Sequence, residues 1–232
     1  MSAPNPFPGE AWIQTHLPEG VKGVMKFVLV WKGRLPASAN SSKTKDVAKI
    51  REELSAQLEY LWEKNSALQV LKEYGFTHAP HSDLFIVPPN TPRQVSLLYP
   101  GHMVDLCDWI PVKNYRYMPL IRKSLDLACD LSILFLRQDD PGALITQSGD
   151  LDGRIKTLLD ALRMPTDQEQ DVAPPSMKDI YTLMQSDTLV SALDIKTERL
   201  LFPESSHPHE VFLIIEVSVR VLKVQQANYC LL

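Results

Sequence analysis

The sequence contains few cysteines and no long apolar run, and these two absences exclude several classes of protein. Its three cysteines are odd in number and widely spaced among 232 residues, so neither a disulfide framework nor a cysteine zinc site is predicted. No apolar stretch reaches the roughly 18 residues that a membrane helix needs. Residues 1–8 also lack the basic and apolar pattern of a signal peptide. These features predict a cytoplasmic protein with reduced thiols and no membrane partner.

The sequence also lacks the short motifs of common nucleotide-binding and hydrolytic folds. It has no G-x-G-x-x-G, no Walker loop and no G-x-S-x-G, so no organic cofactor is predicted. The basic balance that is usual in nucleic-acid-binding proteins is missing, because the formal net charge is −4. Residues 1–120 carry 13 Lys and Arg against 11 Asp and Glu, a net of +2, whereas residues 121–232 carry 11 against 17, a net of −6. The acidic second half either binds cations or forms a solvated acidic surface.

Hydrophobic periodicity predicts an α+β fold. Apolar and polar residues alternate through 23–35, which predicts a strand, and apolar residues at helical spacing predict a long helix over 45–65 and a short one over 67–74. Further strands are predicted over 115–123, 127–137, 189–200 and 211–224, with a helix over 151–163. The simplest arrangement of these elements is a mixed β-sheet with helices packed on one face.

Three segments interrupt this regular pattern. Residues 1–22 hold four prolines and little periodicity, and they are predicted to form a loose N-terminal arm before a single domain over 23–232. Residues 65–114 are broken by many prolines and are predicted to form an irregular elaboration on the core, with short strands over 83–87 and 94–99. Residues 166–177 are predicted to form a surface loop.

One stretch, residues 148–162, carries the most informative polar residues of the chain. Asp150 and Asp152 lie where the helix over 151–163 should begin, and Lys156 and Asp160 follow at steps of one turn. Apolar residues at i, i+3, i+4 and i+7 form a separate stripe on this helix, namely Ile155, Leu158, Leu159 and Leu162. The charged stripe therefore runs along the flank of the buried face.

Two interpretations of these charges remain open. In the first, the acids cap the helix and interact with its dipole for roughly 0.3–1 kcal/mol each, and Asp152, Lys156 and Asp160 form a ladder of ion pairs. In the second, the two carboxylates hold a divalent cation such as Mg²⁺, and Lys156 meets a phosphate oxygen. A third acid, Asp187, precedes the strand over 189–200. By itself it is typical of a turn.

The same residues resemble a family signature. Asp150-Leu151-Asp152, then Lys156, then Asp160-Ala161-Leu162 is similar to the signature helix of the RusA-like endodeoxyribonucleases, the Holliday-junction resolvases of bacteria and phages. In that family a D-D pair opens the strand after the helix, and Ser186-Asp187 stands at that place here. Residues 35–40 resemble, more weakly, a P-P-S-N element at the end of the first strand. The resemblance covers about residues 23–64 and 125–224 and leaves out 65–114.

The resemblance implies a fold, a reaction and a set of site residues. It implies a RusA-like core with an inserted irregular segment, and a homodimer that hydrolyses phosphodiester bonds in branched DNA, in a bacterial or phage-infected cytoplasm. Asp150, Asp152 and Asp187 would bind Mg²⁺, with Mn²⁺ as a possible substitute. Lys156 would act with these acids in catalysis, near the scissile phosphate.

Two departures from the family pattern motivate an alternative function. Gly153 replaces the family's Asn after the second acid, and Ser186 replaces the first acid of the D-D pair. The alternative is a catalytically inactive RusA-fold protein that binds nucleic acid or a protein partner. Because duplex binding needs cations near phosphates, a set of basic residues is predicted to contact DNA. They are Lys26, Lys32, Arg34, Lys43, Lys45 and Arg154.

Overall fold

A computed structural model of the chain supports the description of most of the regular elements. It describes residues 25–37, 43–73, 75–78, 84–87, 103–104, 107, 109–138, 150–167, 169, 178–201, 210–224 and 228–232. The α-helices in these ranges are α1 Lys43–Lys64, α2 Ser66–Glu73 and α3 Asp150–Leu162. The strands are β1 Lys26–Arg34, β2 Gly75–His78, β3 Leu84–Val87, β4 Met103–Val104, β5 Ile110–Val112, β6 Tyr115–Ile121, β7 Leu127–Arg137, β8 Asp179–Met184, β9 Val190–Arg199 and β10 Glu210–Val221. No helix in the described part of the chain has the length and apolarity needed to cross a membrane.

The strands form three sheets, of which the largest has four strands in the order β1-β10-β7-β9. In this main sheet β10 is antiparallel to β1 and β7, and β9 is parallel to β7. A second sheet, β5-β6-β8, is also mixed, because β8 is parallel to β6. The third sheet, β3-β2-β4, is antiparallel. Mixed sheets together with three helices confirm the predicted α+β class.

The two faces of the main sheet differ in burial. Odd-numbered side chains of β1, β7 and β10 point to the helices and form the core, as with Trp31, Phe135 and Leu213, each at most 1% exposed. Even-numbered side chains point away from the helices, and we call this side the outer face. Val28 and Val30 on the outer face are 51% and 38% exposed. The predicted packing of helices on one face is therefore found.

The free edge of β1 is partly covered by a side chain of α1. The Gln57 side-chain oxygen accepts a hydrogen bond from the Val30 N–H at 2.9 Å, and its nitrogen donates to the Val30 carbonyl at 2.7 Å. The amide thus takes the place of one residue of a neighbouring strand. This pairing attaches α1 to the sheet and blocks addition of a further strand at that point.

The sequence pattern missed β8, and the described parts of residues 65–114 contain α2 and β2 to β5. The predicted strand over 83–87 is found as β3. The predicted arm over 1–22, the predicted strand over 94–99 and most of the predicted loop over 166–177 lie outside the described residues.

The three cysteines are buried, and none of them is joined in a disulfide. Burial is the main cause that raises the pKa of Cys129 and of Cys230 to about 12. At neutral pH these two groups are therefore thiols, and they do not supply a nucleophilic thiolate.

Gly33 is required by the indole ring of Trp31, two residues earlier on the same face. A Cβ atom added at Gly33 would lie 2.7 Å from the Trp31 Cζ2 atom, and that ring is buried. We expect Gly33→Ala to lower the free energy of unfolding by about 1–3 kcal/mol, because the ring has no free space into which it can shift. Urea denaturation measures the loss. In a Trp31→Leu background the same substitution should cost less, and an equal cost in both backgrounds would contradict the explanation.

Candidate functional site

Helix α3 forms because its apolar stripe fits the core. Ile155, Leu158 and Leu162 are at most 7% exposed, and Leu159 is half-buried. Thr157, also buried, donates its hydroxyl to the Gly153 carbonyl at 3.0 Å. The predicted stripe is thus confirmed, and it fixes which side of the helix faces solvent.

The first turns of α3 are held at one end of the main sheet by Arg154. Its Nη1 donates to the carbonyl of Leu35 at 2.5 Å, and the side chain is 4% exposed. Leu35 directly follows the last residue of β1. A guanidinium that is buried in this way is not available to DNA, so the predicted DNA contact of Arg154 is wrong. Its role is to position the helix.

The last turn of α3 is held by a second buried arginine, Arg51 of α1. Its Nη2 donates to the carbonyls of Asp160 and Arg163, at 2.5 and 3.2 Å. A cation there interacts favourably with the negative end of the helix dipole, although burial lowers the pKa of Arg51. Sequence reasoning missed Arg51. Its position three residues before Leu54, inside the apolar stripe of α1, was the signal that it is buried.

An ion pair also closes the C-terminal end of α3. Arg163 bonds both carboxylate oxygens of Glu169 and lies 2.9 Å from Asp160. Although partial burial acts in the opposite direction, the hydrogen bonds from Arg163 leave the pKa of Glu169 below its ordinary value. Asp160 thus forms an ion pair with Arg163 at the end of α3.

Two of the charged residues in the N-terminal half of α3, Asp152 and Lys156, are exposed. Among the ion pairs between described residues, none joins Asp152 to Lys156, and Asp160 pairs with Arg163. The predicted ladder of ion pairs is therefore not formed. Both side chains point to solvent from a helix whose two ends are anchored.

Asp187 lies in a short 3-10 helix, Asp187–Leu189, just before β9. Ser186 caps this turn, since its hydroxyl oxygen accepts from the Thr188 N–H at 3.3 Å and bonds the Thr188 hydroxyl at 2.9 Å. Asp187 is exposed. This is the turn geometry that the local sequence predicts.

The strand register places Asp187 far from the beginning of α3. Val190, three residues after Asp187, pairs with Cys129 near the start of β7. Leu35, whose carbonyl accepts the Arg154 hydrogen bond, lies beyond the opposite end of the sheet. The end of β1 pairs with the start of β10, and the start of β10 pairs with the end of β7. From Cys129 to Leu136 the strand rises by roughly 23 Å, at about 3.3 Å per residue.

This separation excludes a metal ion shared by Asp187 and the acids at the start of α3. Helix α3 runs from the Leu35 end towards β8, where the N–H of Met164 donates to the carbonyl of Met184. Two carboxylates that bind one Mg²⁺ lie within about 4 Å of each other, since each metal–oxygen distance is roughly 2.0–2.1 Å. Asp152 lies at the start of α3, whereas Asp187 lies outside this helix, near its C-terminal end. The prediction that Asp187 completes the metal site is therefore wrong.

The structure leaves the pair Asp150 and Asp152 at the start of α3. Asp150 is the first residue of the helix, but its side chain lies outside the described part. Among the described side chains, no three His, Cys, Asp or Glu residues lie close enough to hold a metal ion. A Mg²⁺ site made of two carboxylates and water fits the donors that are present, because Mg²⁺ needs few protein ligands.

The basic residues predicted to bind DNA fall into two groups. Lys26, Lys32 and Arg34 are exposed at even-numbered positions of β1, on the outer face, which is the opposite side of the main sheet from α3. Lys45 is exposed in the first turn of α1. Lys43 is the first residue of α1, and its side chain is not described. One nucleic acid on α3 would meet the second group and not the first.

Comparison with known proteins adds no relative. No protein-family model matches the chain, no curated protein is significantly similar to it, and no solved structure is significantly similar in fold.

Proposed function

We propose that the protein is a Mg²⁺-dependent, structure-specific endodeoxyribonuclease that hydrolyses phosphodiester bonds in branched DNA such as Holliday junctions. The observation that carries the proposal is the exposed pair Asp152 and Lys156 on a helix that two buried arginines hold in place. An exposed acid and lysine without an ion pair between them remain available to a metal ion and a phosphate. The resemblance to RusA-like enzymes supports this reaction class and a cytoplasmic homodimer.

Each residue has a separate part in this scheme. Asp150 and Asp152 would hold Mg²⁺, which, when bound, acts as a Lewis acid and lowers the pKa of its water. Lys156, one turn further along α3, would bind the scissile phosphate as a point charge. The N–H groups at the start of the helix favour the same anion. In the hydrolysis the water oxygen bonds to phosphorus, and the bond from phosphorus to one sugar oxygen breaks.

Lys45 would bind a neighbouring phosphate. It follows the connection between β1 and α1, to which Arg154 anchors α3. Lys26, Lys32 and Arg34 are not included, since they lie on the outer face. With few phosphate contacts, binding should weaken only moderately as salt is raised.

The test is cleavage of synthetic four-way junctions in Mg²⁺ by the wild type, Asp152→Asn and Asp187→Asn. We expect Asp152→Asn to lower the cleavage rate by about two orders of magnitude, because loss of a metal carboxylate removes transition-state stabilisation. Asp187→Asn is the matched control. This variant should retain the wild-type rate, because Asp187 lies near the C-terminal end of α3, away from the proposed metal site at the start of that helix.

Two outcomes would overturn the proposal. One is a wild type that cuts no junction in Mg²⁺ or Mn²⁺. The other is an Asp152→Asn variant as active as the wild type. If Asp187→Asn alone were inactive, the assignment of the site to the start of α3 would be wrong.

A second candidate function is favoured by the position of Asp187. A site with two acids, Gly153 in place of the family's Asn and Ser186 in place of an acid has fewer groups than the active RusA-like pattern. The alternative is a protein that binds nucleic acid or a protein partner without cutting. Calorimetric titration with Mg²⁺ or Mn²⁺ separates the two: binding that Asp150→Asn abolishes favours the nuclease, and no binding favours the alternative.

A further inference from the structure

Strand β1 is at the edge of the main sheet, and in the described part of the chain it has a strand neighbour on one side only. In an antiparallel pair, the N–H and C=O groups of alternate residues point to the neighbouring strand. The carbonyl of Met25 accepts from the Val219 N–H at 2.9 Å, so the odd-numbered residues bond β10. The N–H and C=O groups of Lys26, Val28 and Val30 therefore point to the free edge.

Two neighbouring positions on this edge differ in what they bond. At Val30 the side-chain amide of Gln57 accepts from the N–H and donates to the carbonyl. At Val28 no group of the described residues takes the corresponding place, and the Val28 side chain is 51% exposed. Gln57 thus shows the kind of group that fits this edge, a planar amide with one acceptor and one donor. The backbone of an extended peptide presents the same two groups.

A groove of about 460 Å³ opens beside Val28, between β1 and α1. Its walls are mostly apolar and include Phe27, Leu29, Tyr60 and Leu61. Leu29 is 1% exposed, and Phe27 and Leu61 are half-buried. In a strand paired with Val28, the residues before and after the paired one would point to the helix side, because side chains alternate between the two faces. Those two side chains would enter the groove.

The groove is positively charged at one end. It extends back along β1 from Val30 and forward along α1 from Gln57, which brings Lys64 and Lys26 to the same end. Both lysines are exposed, and no acidic residue is among the described residues that line the groove. The Lys64 Nζ lies 5.6 Å from the centre of the Tyr60 ring. This end is complementary to an acidic side chain.

We propose that the edge of β1 at Val28 binds an extended peptide of a partner protein by β-strand addition. An apolar side chain of the peptide enters the groove beside Leu61, and an acidic side chain two residues away lies near Lys64. Since Gln57 already occupies the edge at Val30, the peptide pairs with Lys26 and Val28 only. So few backbone bonds give a weak complex, with a dissociation constant of the order of 0.1–1 mM.

NMR titration of the full chain with a synthetic peptide tests the proposal. The probe acetyl-Leu-Thr-Glu-Thr-amide fits an antiparallel strand, and the reversed order, acetyl-Thr-Glu-Thr-Leu-amide, fits a parallel one. At least one of them should bind. At a peptide concentration several times the dissociation constant, the Val28 amide proton should exchange with solvent about fivefold more slowly. The Leu29 amide, which bonds β10, should keep its rate.

Two altered peptides examine the backbone bonds and the charge. A peptide with an N-methyl group on the threonine that pairs with Val28 lacks a hydrogen-bond donor and should not bind. Replacement of the peptide glutamate by lysine should weaken binding to the wild type about fivefold, whereas Lys64→Glu should prefer the lysine peptide. Lys49→Glu is the matched control, because Lys49 is exposed on α1 and does not line the groove. It should bind both peptides as the wild type does.

Three results would overturn the proposal. The first is that neither peptide order slows exchange at Val28. The second is that the N-methylated peptide binds as tightly as its parent. The third is that decanoate, an apolar chain with one carboxylate, binds in the groove and neither peptide does, which would make the groove a site for amphiphilic small molecules. Junction cleavage is a separate measurement, because the proposed metal site lies on α3.

Discussion

Replacement of Trp31 by alanine is expected to lower the free energy of unfolding by about 3–5 kcal/mol, as for other buried Trp residues. Trp31 is 1% exposed and lies opposite Leu213, which in turn pairs with Phe135. The substitution would leave a cavity between the main sheet and α1. Since the core is closely packed, the neighbours cannot fill this space without straining their own contacts.

The size of the side chain, and not its N–H group, should determine this loss. The Trp31 indole nitrogen is buried without a hydrogen-bond partner, so Trp31→Phe removes an unsatisfied donor and should cost much less than Trp31→Ala. Chemical denaturation with tryptophan-independent circular dichroism measures both. Tyr60→Ala, at an exposed position, should stay within about 0.5 kcal/mol. A loss of under 1 kcal/mol in Trp31→Ala would contradict the placement of Trp31 in the core.

Replacement of Arg154 by methionine is expected to cost about 2–3 kcal/mol of stability. The substitution removes a charged hydrogen bond and leaves the buried carbonyl of Leu35 without its partner. Methionine fills most of the volume of the aliphatic part, so the loss reports chiefly on the polar contact. The effect should concentrate at the start of α3, which Arg154 attaches to the end of β1.

Hydrogen exchange and cleavage assays distinguish this local effect from general destabilisation. Amide protons in the first two turns of α3 should exchange faster in Arg154→Met, and cleavage should fall even at temperatures where the protein is folded. Lys156→Met is the matched control for stability. Lys156 is exposed on the same helix, so its replacement should change unfolding by about 0.5 kcal/mol or less. Equal losses in the two variants would show that Arg154 is not an anchor.

The secondary structure was predictable where one face of an element is buried and the other is exposed to solvent. The alternation in 23–35 and 211–224 and the helical stripes in 45–65 and 151–163 predicted β1, β10, α1 and α3, each within a few residues of its observed ends. Periodicity is a local consequence of burial on one side. β8 was missed for the same reason, because five of its six residues are buried and no alternation remains.

The candidate site was predictable only in part. The sequence placed Asp152 and Lys156 on one stripe at the flank of the buried face of α3, because their spacing fixes their directions on the helix, and the structure shows that both side chains are exposed. Arg154 was assigned to DNA because duplex binding needs cations near phosphates, whereas its side chain is buried and bonds the Leu35 carbonyl, 119 residues away in sequence. The position of Arg51 likewise depends on packing between α1 and α3.

The sequence by itself determined the α+β class, the main helices and strands, and the face of α3 that carries Asp152 and Lys156. These properties follow from side-chain periodicity, which acts over a few residues. The tertiary structure alone decided that the strands divide into three sheets, that two arginines anchor α3, and that Asp187 lies at the opposite end of the helix from Asp152. Such relations depend on strand register and on contacts between distant segments, which no local pattern encodes.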